Sequence, residues 1–354
     1  FPYTTLFRSA FDIINDKVFD EKQLNEENSG MSFELIKEKN RWVSAKESIS
    51  SPTEERKTDS NYIPFNDKGF QDPLNGLLPT IDELDDYIMR SKSADQEEQL
   101  KGIVGIRKIL SGDAYLPLDK VVDSGILPWI MDLMNNSNIP QVRYETAWII
   151  TNCASGNSTI VNYIVKLGAI DGFISLLSSN NMHLAGEATW GLGNLAADSI
   201  SCRDSILNRG GFELIVKFLE KLSTNSSYFS QGIWALLNMC GVRPCPPIER
   251  IECSLPLFVR ALNESDNNTA INEALRALSY ISQGDEISIQ NILDAGIMPH
   301  LLKALKYLIV HFELTNRSED KSVLQSAVKI LINISAGSDN QTHVSISYSD
   351  SLII

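Results

Sequence analysis

No stretch of this 354-residue chain is apolar for the ~20 residues that a membrane-crossing helix requires, so no membrane span is expected. Histidine is scarce. His183, His300, His311 and His343 fall in no Ser/His/Asp or metal-ligand arrangement, and there is no Gly-rich phosphate loop. No enzyme activity and no cofactor are therefore expected. Positive charge is also short, with 31 Lys and Arg against 45 Asp and Glu, a net charge of −14. That balance argues against direct nucleic-acid binding and favours basic partners. The opening FPYTTLFRSAF lacks the basic, long-apolar, small-residue order of a secretory signal, and residues 1–10 carry no functional weight. The cysteines are Cys153, Cys202, Cys240, Cys245 and Cys253, an odd and irregular set that suits a reducing compartment. Cys240, Cys245 and Cys253 cluster, but no His is near. They read as small buried apolar groups rather than zinc ligands.

Hydrophobic residues make up 43% of the chain, enough for a sizeable core. Residues 1–80 stand apart. They hold ten Lys/Arg and fourteen Asp/Glu, many Ser and Asn, and no sustained periodicity. Stretches such as EKQLNEENSG and SISSPTEERKTDSN predict a largely disordered segment, with one short helical island at 31–48.

From about residue 86 the chain repeats. YETAWIITNCASG, EATWGLGNLAADS and SQGIWALLNMCGV align so that Trp148, Trp190 and Trp234 are 42 and 44 residues apart. Asn152, Asn194 and Asn238 keep the same steps. A second register, Gly125, Gly168, Gly210, Ser254 and Gly296, advances by 43, 42, 44 and 42 residues. Each marker precedes an apolar segment, from ILPWIMDLM to IMPHLLKAL. A period of ~40–47 made of apolar helical pieces reads as HEAT or armadillo, and three helices per unit favour armadillo. The expected fold is all-α: a right-handed superhelical solenoid of armadillo repeats over 86–343, five full and a partial sixth. Val104 and Lys108 take the Trp and Asn slots of the first repeat, Arg276 and Tyr280 those of the fifth, Lys329 and Asn333 those of the sixth. An insertion falls near 307–320. The closing THVSISYSDSLII departs from the pattern and reads as an irregular tail, 344–354, without the polar cap of a finished solenoid.

Residues four apart share a helix face, so Trp190, Asn194 and Asp198 form a row. Stacked repeats ~8–10 Å apart turn such rows into a ladder of three Trp and three Asn, roughly 20–30 Å long. About six to nine residues of extended peptide would fit along it. An Asn amide can bond a peptide's main chain without reading its sequence. Trp faces suit the aliphatic stems of Lys or Arg, with ~0.5–2 kcal/mol of cation–π attraction when partly desolvated. Asp198 would select positive charge. Two other readings stand beside this one: Trp residues as core, and Asn residues bonding the neighbouring repeat's backbone to hold the stack together.

AWIITNCASG, TWGLGNLAADS, IWALLNMC, LSYISQGD and NISAGSDNQT together resemble repeats two to six of importin α, the adaptor that carries proteins with basic nuclear localisation signals. The resemblance implies a protein shuttling between cytoplasm and nucleus. It implies a major cargo site at Trp148, Asn152, Trp190, Asn194, Trp234 and Asn238, with Tyr280 in the fifth repeat. Asp198 would pair with the key cargo lysine, and Ser155 and Gly156 would form the turn against it. Arg276 stands where the family usually has Trp, and Gly241 where the fourth repeat often has Arg. The minor cargo site of repeats seven and eight is missing, so two-part signals are expected to bind poorly. SFELIKEKNRWVSAKESIS resembles part of the family's importin-β-binding segment. It holds only Lys37, Lys39, Arg41 and Lys46, diluted by Glu34, Glu38 and Glu47. Weak importin β binding and weak autoinhibition are expected. The alternatives are an armadillo scaffold for other protein partners, or an inactive truncated relative that cannot engage importin β.

Overall fold

The computed structural model describes residues 70, 72–111, 116–315 and 318–350. They are helical, with no strand among them. Seventeen α-helices follow in order: α1 Leu84–Ser91, α2 Gln96–Ile109, α3 Leu118–Asp123, α4 Leu127–Asn136, α5 Pro140–Cys153, α6 Ser158–Lys166, α7 Ala169–Leu177, α8 Met182–Asp198, α9 Ile200–Asn208, α10 Gly211–Glu220, α11 Ser227–Gly241, α12 Leu255–Glu264, α13 Asn268–Ile281, α14 Glu286–Asp294, α15 Ile297–Thr315, α16 Ser318–Ser335 and α17 Asp339–Asp350. They fall into two compact units that divide within α11, one ending at Ala235 and the other starting at Leu236.

The triplets α3–α4–α5, α6–α7–α8 and α9–α10–α11 realise the expected repeat. Short polar residues start several of these helices. The Asn181 side chain accepts from the amides of His183 and Leu184 at α8, and Asn157 does the same for Thr159 and Ile160 at α6. The register glycines make the sharp turn between first and second helices. Gly168 has φ +94° and Gly210 φ +73°, a conformation that costs glycine little and other residues more. The slot filled by Ser254 behaves differently. Its φ is −83°, and the first helix of that repeat is replaced by 3₁₀ turns at Ile248–Arg250 and Glu252–Ser254. The preceding Pro244, Pro246 and Pro247 supply no N–H groups for an α-helix there.

In the first unit, α2, α5 and α8 pack side by side. Trp129 Nε1 donates to Ser91 O at 3.1 Å, tying α4 to α1. Packing against α8 is close. A Cβ on Gly191 would lie 2.3 Å from Phe173, and one on Gly193 2.7 Å from Trp234. In the second unit, α12, α13, α15 and α16 form the body. The Asp285 carboxyl, which starts α14, is held below its usual range by hydrogen bonds from the Ser288 amide and hydroxyl.

At the end of the segment 1–80, Phe70 stacks on Tyr144 and Asp72 binds Lys108. Three expectations are refined. The insertion near 307–320 lengthens the second helix of its repeat, so α15 has 19 residues where α10 has 10. The tail from 344 is helical as far as Asp350. There α17 follows α16 as a first helix follows a third, and Gln341 anchors it by donating to Glu286 O at 2.9 Å. Cysteine burial is uneven: Cys153, Cys202 and Cys240 are buried, Cys245 is half-buried and Cys253 is exposed.

Two outcomes follow. Gly191→Ala should cost about 1–3 kcal/mol by overpacking against Phe173, read as a lower urea midpoint; an unchanged midpoint would mean that ring is not seated on α8. In thiol labelling at pH 8, Cys253 should react first. Burial pushes the Cys153 thiol up to about 12, so it should react only on unfolding.

Candidate functional site

The third helices α5, α8 and α11 carry the row. Positions four apart give Tyr144–Trp148–Asn152, Gly186–Trp190–Asn194–Asp198 and Ser230–Trp234–Asn238. Trp148 is half-buried, whereas Trp190 and Trp234 are 5% and 1% exposed and share one cluster with Ala235.

Asn152, Asn194 and Asn238 are buried, and the amide nitrogens of Asn152 and Asn194 point to the preceding repeat. Asn194 Nδ2 donates to Thr151 O at 3.2 Å, and Asn152 Nδ2 to Ser111 Oγ at 3.4 Å. In the second unit Asn333 Nδ2 donates to Ser282 Oγ at 2.9 Å. The repeat-to-repeat bond, one of the alternatives open from sequence, is thus present. It uses one half of the amide: Asn194 Oδ1 is buried and makes no hydrogen bond.

Ser155 and Gly156 form the turn after α5. Ser155 Oγ donates to Asn152 O at 2.7 Å, and a Cβ on Gly156 would press on Leu118 at 3.0 Å. Asp198 closes α8 and meets the far side of that turn, where it accepts from Ser158 Oγ at 3.0 Å. The structure therefore brings the carboxylate and the turn into one polar corner, through a serine that the sequence reading passed over.

Further residues were missed. One turn before the Trp slots of repeats two to five is a carboxylate or amide: Glu145, Glu187, Gln231 and Glu273. The three glutamates are buried. Reading the repeat alignment three places upstream of Trp would have found them. Glu145 Oε2 accepts from Arg107 Nε at 2.9 Å, and the Arg107 guanidinium lies 4.3 Å from the centre of the Trp148 ring. Lys108, in the first repeat's Asn slot, donates to Asp72 Oδ2 at 2.7 Å and Leu77 O at 2.8 Å. Burial alone would raise the Asp72 carboxyl. The Lys108 ammonium and the amides of Gly76 and Leu74 outweigh it and hold that carboxyl below its usual range. Phe70 stacks on Tyr144 at 5.0 Å and lies 5.4 Å from His183, whose Nδ1 is 2.8 Å from Tyr228 Oη. Burial, then the charge of Glu187, pushes the Tyr144 hydroxyl well above its ordinary value.

In the second unit, Tyr280 is buried under Arg243, whose guanidinium is 5.7 Å from the ring centre and bonded to Gln283. A Cβ on Gly241 would lie 2.9 Å from that ring. Arg276 faces Glu273 at 3.6 Å, so its charge is met from its own helix rather than presented unopposed. Lys37, Lys39, Arg41 and Lys46 lie outside the described residues. Among the described residues no group of three or more His, Cys, Asp or Glu could hold a metal ion, and no single helix is long and apolar enough to cross a membrane.

Replacing Asn194 by Ala removes the donor to Thr151 O and should lower stability by about 1–2 kcal/mol, measured by chemical unfolding. A loss under a few tenths would show the stack does not depend on that bond.

Residues 160–197 match the Armadillo/beta-catenin-like repeat. The chain is 34% identical to importin subunit alpha-6 of Arabidopsis thaliana, over 64% of this chain and 43% of that protein. It is 31% identical to importin subunit alpha-1b of Oryza sativa subsp. japonica, over 76% of this chain and 48% of that protein. To the probable importin subunit alpha-A of Dictyostelium discoideum it is 30% identical, over 64% and 44%. The chain thus spans somewhat less than half the length of these relatives. Among solved structures, an engineered protein superposes with a TM-score of 0.63 at 26% identity, over 75% of this chain and 61% of that one. A designed armadillo repeat protein does so at 0.59 and 21%, over 70% and 99%, which bears on the fold alone.

Proposed function

We propose, from the premise that this chain is a divergent member of the importin alpha family, that it is an import adaptor rather than an enzyme. It binds Lys- and Arg-rich nuclear localisation signals of cargo proteins along the row of Trp148, Asn152, Trp190, Asn194 and Trp234, with Asn238 one turn further on α11 and Tyr280 in the second unit. Asp198, in its corner with Ser155, Gly156 and Ser158, selects the key lysine. The observation that carries this reading is the meeting of a carboxylate and a polar turn beside the indole row. The buried Oδ1 of Asn194 supplies an acceptor for a peptide N–H. The net charge of −14 draws basic peptides in. Shuttling between cytoplasm and nucleus follows from the role. Importin β is a weak partner on this reading, because the segment holding Lys37, Lys39, Arg41 and Lys46 has too little uninterrupted positive charge.

A specific observation favours a second reading. Trp190 and Trp234 are buried together, so a peptide enters by parting side chains rather than by filling an open trench. If it cannot, the row is structural and the chain is an armadillo scaffold for other proteins.

Fluorescence polarisation with a labelled Lys-rich peptide separates the two. The expected result is binding that weakens from low to physiological salt. Trp190→Ala should weaken it about tenfold, through loss of the aromatic face. Asp198→Lys should weaken it further by charge reversal. Absence of binding by a folded, helical chain at either salt concentration supports the scaffold.

A further inference from the structure

Resting on that reading, we propose that Arg107 is a built-in occupant of the row. It fills the cation slot on the first-repeat side of Trp148 and so limits how many basic residues a peptide can seat.

Arg107 comes from α2, the third helix of the first repeat, and crosses to α5. It makes there the contacts that a ligand cation would seek: an aromatic face at 4.3 Å, a carboxylate oxygen at 2.9 Å, and near exclusion of water. The side chains of Arg107 and Glu145 are 12% and 7% exposed. Arginine suits the position because its planar fork can stack on an indole while Nε donates sideways to a carboxylate; a lysine ammonium cannot do both from one place. Beside it, Lys108 is engaged by Asp72 and Leu77. This end of the row therefore carries two cations with internal partners. A peptide lysine arriving from the first-repeat side meets a filled slot and like charge. In the second unit an exposed Arg243 lies over Tyr280 and is bonded to the Gln283 amide, a looser contact with no carboxylate.

The test is a series of ten-residue peptides carrying two to six consecutive lysines, their other positions uncharged, titrated by polarisation against wild type, R107A and R107M/E145Q. A series of this kind needs no assumption about binding register. Wild-type affinity should stop rising at some lysine count. R107A should gain one further step of about tenfold as a peptide lysine takes the vacated place on Trp148 and Glu145. R107M/E145Q removes both charges at similar volume, an exchange that buried ion pairs often tolerate, and should return to the wild-type plateau. Should R107A fail to fold, R107Q takes its place and is expected to gain the same step, since its neutral amide leaves the Glu145 carboxylate without its cation. A common plateau in wild type and the Arg107 variant overturns the proposal and leaves peptide binding intact, as does a wild type that keeps gaining through six lysines. If no peptide binds wild type at all, the reading on which the proposal rests is overturned as well.

Discussion

A buried Asn amide, repeated on α5 and α8, governs the geometry of the first unit. A third helix can sit against its predecessor in many rotations that bury similar apolar area, because hydrophobic burial is non-directional. The bond from Asn194 Nδ2 to Thr151 O admits few of them. Its acceptor is a backbone carbonyl, whose position depends on helix axis and phase rather than on a rotamer. Once the amide is placed, Trp190 follows one turn before it and Asp198 one turn after it. The glycines of α8 make the approach possible: Phe173 and Trp234 stand where a Cβ on Gly191 or Gly193 would have to go. Small residues set the distance between helices, and the amide sets their phase.

That phase has an electrostatic consequence. The position three before Trp turns inward and carries Glu145, Glu187 and Glu273, all buried. A carboxylate in such a place is costly unless it is paired and hydrogen-bonded. For Glu145 and Glu273 the chain answers with its own arginines. Arg107 reaches Glu145 from another repeat, and Arg276 faces Glu273 from the same helix. The two solutions differ in effect. Arg276 pairs along its own helix, whereas Arg107 also covers an indole and joins two repeats.

Much of this was legible in the sequence, and what was not has a common cause. The period, the three-helix unit and the Trp and Asn markers follow from spacing alone, because each is a property of one helix repeated. The destination of the Asn amide was not fixed, since a peptide carbonyl and a neighbouring repeat's carbonyl look alike to it. Arg107 and Glu145 lie 38 residues apart and match no shared motif; their meeting depends on the packing of α2 against α5. Ser254 occupies a glycine slot, yet the prolines before it, not the serine, decide that the first helix shortens to 3₁₀ turns. The tail near 344 was misread because its composition is polar. A first helix buries only a narrow strip, and Gln341 supplies a polar anchor where an apolar residue was sought.

On the proposed reading, structure and recognition do not compete for the same atoms of this row. The amide nitrogen of Asn194 is committed to the stack while its oxygen makes no hydrogen bond, so one side chain can hold a repeat in place and meet a ligand N–H without exchanging partners. The charges divide in a similar way. Near the ladder, carboxylates such as Glu145 are balanced by internal cations and contribute little field at a distance. The net charge of −14 is thus felt mainly from groups outside that pairing, where screening limits it to about 10 Å at 0.1 M salt. On the proposed reading, attraction and selection are separated as a result. The general acidity would draw basic chains toward the protein without discriminating among them. Discrimination would fall to the few positions where an indole face and a carboxylate coincide and no arginine of the chain has already taken the place.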